Sequence, residues 1–336
     1  MLDHGGNLHA AIASFGQSRS EWIDLSTGIN PHPYPVPALA ADAWHRLPEA
    51  HPALATAAAR YYGAPCMLPV SGSQAAIQAL PCLRPTSRVA VAAPAYAEHA
   101  HCWSRAGHAV REVAYDALAL AVADCDVMVV CNPNNPTGAT VAPALLLEWA
   151  EQLAARGGWL IVDEAFADTT PALSVAAWSD RPGLIVLRSV GKFFGLAGLR
   201  LGFVAAQKTL LSTLAELLGP WSVSGPAQAI GYAALSDTRW QQQMRAQLST
   251  DGRRLHALLA FNGIDSSGSA LYQWWPELRA QAFHQHMAAR AIWVRLFTRG
   301  AGGIRLGLPP DEAGWDRLQL ALAEWLPAAA AGNAFP

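Results

Sequence analysis

From about residue 66 onward, short apolar runs alternate with amphipathic stretches, the pattern that strand and helix units make around a parallel sheet. Runs at 89–93, 127–131, 159–163, 184–189 and 201–206 are nearly unbroken and predict strands buried on both faces. Pro143 opens a segment in which Leu146, Trp149 and Leu153 recur at helical spacing and Gly157 closes it, which predicts a crossover helix. A helical stretch follows Pro226 through about 260, and strand-like runs at 292–297 and 304–308 precede a final helix. Pro31, Pro33, Pro35 and Pro37 exclude regular structure from roughly the first forty residues, which should form an arm. The fold class expected is therefore α/β: a large domain with a mostly parallel central sheet flanked by helices, plus a smaller α/β domain. The expected division is an N-terminal arm at 1–45 joining the small domain, a large domain at 46–235, and a small C-terminal domain at 236–336. The tail from Ala328 is expected to fray.

Composition narrows the function. A chain of 336 residues, 52% hydrophobic, can bury one substantial core and a smaller second one. A formal charge of -2 creates no field that gathers nucleic acid or an anionic membrane, so a small-molecule partner fits better. The five cysteines show no C-x-x-C pair and no zinc-like spacing with histidine, which argues against a disulfide framework and against a metal site. No secretory signal is visible, and Asp124 and Asp126 interrupt the best apolar candidate for a membrane span. A cytoplasmic location is the expectation.

The strongest chemical signal is the glycine-rich stretch from Ser189 to Gly202, with Lys192 alone among apolar residues. A desolvated lysine there loses proton affinity and becomes an amine nucleophile for an aldehyde. Ser189 and Arg200 flank it with the hydroxyl and planar guanidinium that a phosphate monoester needs. Asp163 ends the run from Trp159, at the carboxyl end of a strand where doubly wound folds bind ligands, and a buried carboxylate there needs a cationic partner such as a protonated pyridine nitrogen. Asn135 lies in the turn Asn132 to Gly138 after another strand. Ser71-Gly72-Ser73 joins a strand to a helix start and presents backbone N–H groups to an anion. Tyr96 follows a further strand and can stack on an aromatic cofactor. Read singly, each has a plain alternative: a surface lysine, a helix cap, a bare turn or a packed tyrosine.

These features in this order resemble the fold-type I pyridoxal 5′-phosphate (PLP) enzymes of the aspartate-aminotransferase superfamily, over essentially the whole chain. The resemblance implies a Schiff base on Lys192, Asp163 at the pyridine nitrogen, Asn135 at the ring hydroxyl and Tyr96 on the ring face. It also implies Ser71, Gly72, Ser73, Ser189 and Arg200 around the phosphate, and a homodimer.

Within the superfamily the chain is similar to the histidinol-phosphate aminotransferase group, and most similar to its cobalamin-biosynthesis threonine-phosphate decarboxylase branch. His4-Gly5-Gly6-Asn7, Gly28-Ile29-Asn30-Pro31 and the segment Pro220 to Val223 carry that likeness. Phe166, three residues after Asp163, stands where related aminotransferases carry a tyrosine, and Leu47 replaces a tyrosine that reaches the neighbouring subunit's cofactor, which puts that contact in doubt. By resemblance Arg305 grips the substrate α-carboxylate, while His4, Asn30 and Arg295 hold a substrate phosphate. The implied reaction is decarboxylation of L-threonine O-3-phosphate, with a downstream cobalamin-pathway enzyme as a possible partner. The alternative is amino transfer on histidinol phosphate or a related amino acid. A non-enzymatic scaffold would have no need of the lysine, aspartate and phosphate-binding set.

Overall fold

A computed structural model describes residues 4–298 and 302–331, with side chains up to 325. Thirteen strands are present among the described residues. They are β1 (Ile23–Asp24), β2 (Leu68–Val70), β3 (Arg88–Ala93), β4 (Ala109–Ala114), β5 (Val127–Cys131), β6 (Trp159–Asp163), β7 (Leu184–Ser189), β8 (Gly202–Ala205), β9 (Ser267–Ser269), β10 (Tyr272–Pro276), β11 (Ile292–Trp293), β12 (Arg295–Phe297) and β13 (Gly303–Gly307). By contacts the chain divides into two compact units: Pro33–Asn135 with Ala139–Arg245, and Met1–His32 with Pro136–Gly138 and Ala246–Pro336.

The larger unit is built on a seven-stranded sheet in the order β2-β8-β7-β6-β5-β3-β4. Strands β4, β3, β5, β6 and β7 pair in parallel, and β8 runs antiparallel to both its neighbours. The apolar runs explain this placement: β5 and β7 are buried along their whole length, as only strands covered on both faces can be. Val70, Ile77, Val89, Trp103, Val129, Ile161, Ile185, Leu187 and Val204 belong to one core cluster, each buried aliphatic side chain contributing about 1.5–3 kcal/mol. The expected crossover helix is present as Pro143–Ala154.

The smaller unit contains an antiparallel sheet in the order β12-β13-β10-β9 and a parallel pair, β1 with β11. Trp275 meets Phe283 of helix Ala280–Ala288 edge to face at 5.3 Å. Helix Leu8–Phe15 packs Phe15 against Trp22 and Trp293.

Several expectations need correction. The proline-rich arm is not wholly irregular, because Asn7 caps helix Leu8–Phe15 by accepting from the Ala10 N–H, and Gly16 closes it at φ 81°. The run 292–297 is two strands, since β11 pairs with β1 whereas β12 pairs with β13. Strand β4 was not expected; it is an edge strand whose exposed Arg111 and Glu112 hide its pattern. The units also divide elsewhere than at 45 and 235: residues 33–45 fall with the larger unit, and the second boundary, at 245, lies inside the continuous helix Thr238–Phe261. Its first turns belong with the larger unit because Trp240 stacks on Phe194 and Arg245 donates to the Asp168 carbonyl. The final helix continues through Ala331, past the fraying expected at Ala328, and 332–336 lie outside the described residues.

Candidate active site

Parallel strands that end at one edge deliver their following residues to one place. Strands β3, β5, β6 and β7 do this for Tyr96, Asn135, Asp163 and Ser189, with Lys192 three residues further on. Antiparallel β8 begins at that edge, its Gly202 opposite both Ser189 and Val70, so Ser71, Gly72 and Ser73 start there too. A side chain at Gly202 would put its Cβ 2.5 Å from the Ser73 nitrogen, so glycine is what lets the loop close. The larger unit therefore holds the whole expected cofactor set.

Asp163 is buried, and one carboxylate oxygen lies 2.9 Å from His99 Nε2 while the other accepts from the Ala165 N–H at 3.0 Å. Two partners fix its plane. Cys131, level with Asp163 on the adjacent strand, completes a group whose potential ligand atoms lie within 4.8 Å of one another. Burial, and then the neighbouring Asp163, push the Cys131 thiol well up in proton affinity and keep it a neutral neighbour of the carboxylate. The Tyr96 hydroxyl donates to Gln74 Oε1 at 3.1 Å, and its ring meets that of His99 edge to face at 6.1 Å. Burial, then Glu98, raise the proton affinity of the Tyr96 phenol and keep it a donor. The loop before Asn135 is tied down, as Asn132 exchanges two hydrogen bonds with Val141 and the Asn134 amide donates to the Pro94 carbonyl at 2.8 Å.

Lys192 is half-buried, its amine 5.3 Å from the centre of the buried Phe166 ring. Arg200 sits at φ 54°, anchored by Nη1 on the Ala197 carbonyl at 3.1 Å. Its guanidinium reaches the Ser71–Ser73 loop so closely that a Cβ on Gly72 would lie 2.7 Å from Nη2. The Gly191 N–H donates to Ser189 Oγ at 3.3 Å. A guanidinium, hydroxyls and a glycine cradle at one edge fit a phosphate monoester, and a buried, oriented carboxylate fits a protonated pyridine.

The expected substrate residues all lie in the smaller unit. Arg305 is buried and donates from Nη2 to the Ser26 carbonyl at 2.5 Å. Burial pulls its proton affinity down to about 10, although Tyr272 nearby acts in the other direction. Arg295 stands directly opposite it on β12. Gly6 donates its N–H to Ser26 Oγ at 2.7 Å, and a Cβ on Gly5 would lie 2.4 Å from the Ser26 carbonyl oxygen. Ser26 thus gathers the exposed His4 segment and Arg305. Buried Asn30 accepts the His32 N–H at 2.8 Å. Leu47 is exposed in the larger unit. Sequence reasoning missed His99 and Gln74; the spacing of Tyr96 and His99, three residues apart, was the available signal.

Residues 20–312 match the family model of aminotransferase classes I and II. The chain belongs to that family. It is 51% identical to the threonine-phosphate decarboxylase of Pseudomonas aeruginosa, over 96% of this chain and 97% of that one. It is 45% identical to the threonine-phosphate decarboxylase of a Sinorhizobium species, over 95% and 97%. The fold matches the histidinol-phosphate aminotransferase of Sinorhizobium meliloti, solved in complex with pyridoxal-5′-phosphate, with a TM-score of 0.83 at 20% identity, over 96% of this chain and 95% of that one. Among the described residues no helix is long and apolar enough to cross a membrane.

Proposed function

We propose that this family member is a PLP-dependent carboxy-lyase that converts L-threonine O-3-phosphate to (R)-1-amino-2-propanol O-2-phosphate and carbon dioxide in cobalamin biosynthesis. The observation that carries the reading is the 51% identity, over nearly the full length of both chains, to a threonine-phosphate decarboxylase. Phe166 beneath Lys192 supports it.

Bound PLP supplies an electron sink for the pair released at the substrate Cα. Lys192 holds the cofactor through its amine, Asp163 faces the ring nitrogen, Asn135 the ring hydroxyl and Tyr96 the ring face. Ser71, Gly72, Ser73, Ser189 and Arg200 take the cofactor phosphate. Arg305 takes the substrate α-carboxylate with a planar fork. His4, Asn30 and Arg295 hold the substrate phosphate as a remote handle, whose binding energy fixes rotation about Cα so that the carboxylate bond is the one aligned for cleavage. The same grip restrains the Cβ–O bond against loss of phosphate. The Lys192 amine, freed when the substrate amine takes its place on the cofactor, then returns a proton to Cα. A homodimer working in the cytoplasm, handing its product to a downstream cobalamin-pathway enzyme, completes the reading.

The test compares carbon dioxide release from L-threonine O-3-phosphate with amino transfer from glutamate to imidazoleacetol phosphate. Release without transfer is expected; transfer alone would refute the decarboxylase reading.

A further inference from the structure

A buried ionic cluster in the larger unit has no part in the chemistry above. Glu164, Asp168 and Arg188 are all shut off from solvent. Arg188 donates from Nη1 to Glu164 Oε2, and its Nη2 lies 3.2 Å from Asp168 Oδ1. Glu164 also accepts from the Ser174 hydroxyl and from the Val175 N–H. Tyr61, on helix Pro52–Tyr62, donates its hydroxyl to Asp168 Oδ1 at 2.9 Å and accepts from Arg245 Nη2 at 3.0 Å. Arg245 Nε donates to the Asp168 carbonyl at 2.8 Å, and its guanidinium lies 5.3 Å from the centre of the Phe193 ring. Phe194 stacks on Trp240 at 5.5 Å and leans on the Tyr61 ring.

Three members of this cluster are chain neighbours of expected cofactor-binding residues. Glu164 follows Asp163, Arg188 precedes Ser189, and Phe193 follows Lys192. Glu164 extends the β6 ladder by donating its N–H to the Leu187 carbonyl. Successive side chains of an extended chain point to opposite faces, so the cluster holds these strand ends from the side away from the cofactor. Its charges balance, two carboxylates against two guanidiniums. Burial works against the charge on Arg188, but Asp168 and Glu164 outweigh it and raise its proton affinity. Burial, then Asp168, do the same for the Tyr61 hydroxyl, which therefore stays a donor. Among the described residues Asp168 Oδ2 and Arg188 Nε have no hydrogen-bond partner, and a buried ionic cluster of this kind is weak evidence of a stabilising role, since a well-packed apolar core is often as stable.

We propose that this cluster is a brace, and that Tyr61 and Arg245 are positioning residues that set where Lys192 stands relative to Asp163 and Ser189. The role given to Lys192 rests on the decarboxylase reading.

Tyr61→Phe removes one hydroxyl and little packing, and Arg245→Met keeps the stem and removes the cation. In the holoenzyme both variants should lower kcat for carbon dioxide release about tenfold or more, with KM within about twofold, as expected for a misplaced reacting group. Both should shift the pH midpoint of the Lys192-linked cofactor absorption band. In the cofactor-free protein both should accelerate hydrogen exchange over residues 189–195. An unchanged midpoint or an unchanged exchange rate, with only a lower melting temperature, overturns the proposal. If Arg245→Met does not fold, Tyr61→Phe decides alone. If the wild-type protein shows no such band and releases no carbon dioxide, the decarboxylase reading fails instead, and the exchange measurement still judges the brace.

Discussion

Gly72→Ala perturbs the candidate phosphate cradle at one atom. Gly72 has φ 72° and ψ 156°, a backbone region almost closed to other residues, so any side chain there costs about 1–3 kcal/mol of strain. The new Cβ would stand 2.7 Å from Arg200 Nη2. That contact is with the far end of a flexible side chain, so the guanidinium moves and the loop stays. If Arg200 donates to the cofactor phosphate, its displacement forfeits one charged hydrogen bond worth about 1.5–3 kcal/mol, a loss in PLP affinity of roughly 10- to 150-fold. Titration of the cofactor-free variant with PLP, followed by tryptophan fluorescence, measures that loss, and melting of the same protein measures the strain separately. The two effects part in an Arg200→Ala background. There, Gly72→Ala should lower the melting temperature as before but weaken PLP binding by less than about twofold, because the group it displaces is already gone. Full additivity of the two substitutions in binding, or a Gly72→Ala protein that binds PLP like wild type, would show that Arg200 does not touch the cofactor phosphate.

Three other substitutions probe separate parts of the reading. Phe166→Tyr introduces a donor beside Lys192 and should lower the pH midpoint of the cofactor absorption band by about one unit, the worth of one hydrogen bond of ~1.4 kcal/mol; a midpoint that stays put removes Phe166 from the site. Arg305→Lys exchanges a planar fork for a point charge, and KM for L-threonine O-3-phosphate should rise about tenfold or more; a KM within twofold of wild type counts against carboxylate binding there. His286 is held below its ordinary value near 6.5, chiefly by burial and against the pull of its hydrogen bond to the Ala321 carbonyl. The unfolded chain therefore binds the extra proton first, so stability is lost as pH falls from about 6.5 through the folded value. The melting temperature should drop over that window, and His286→Asn should flatten the drop; parallel profiles would assign it to other groups.

What the sequence made legible follows from where the information is local. Strands β6 and β7 are largely apolar runs whose last residue is itself the ligand candidate, so Asp163 and Ser189 could be read with their strands. Lys192 and Arg200 share one loop, and Gly72 lies in a strand-to-helix turn with its own signature. The exposed edge strand β4 lacked any such pattern, and β11 and β12 looked like one run because β1, the partner that draws β11 away from the sheet of β12 and β13, lies near the other end of the chain. The same limit applies within the site. His99 orients Asp163 from 64 residues away, and Tyr61 reaches Asp168 across 107; no spacing rule joins such residues. Side chains that touch the cofactor are dictated by chemistry that recurs in short motifs, whereas side chains that hold those residues in place are dictated by whichever element the fold happens to bring behind them. The contacts of the orienting histidine and of the ionic brace therefore become visible only when β3, β6, β7 and the three helices that carry His99, Tyr61 and Arg245 are assembled. For the same reason Tyr61 and Arg245 are the residues whose substitution best tests whether geometry, and not only the identity of the contacting groups, sets the rate.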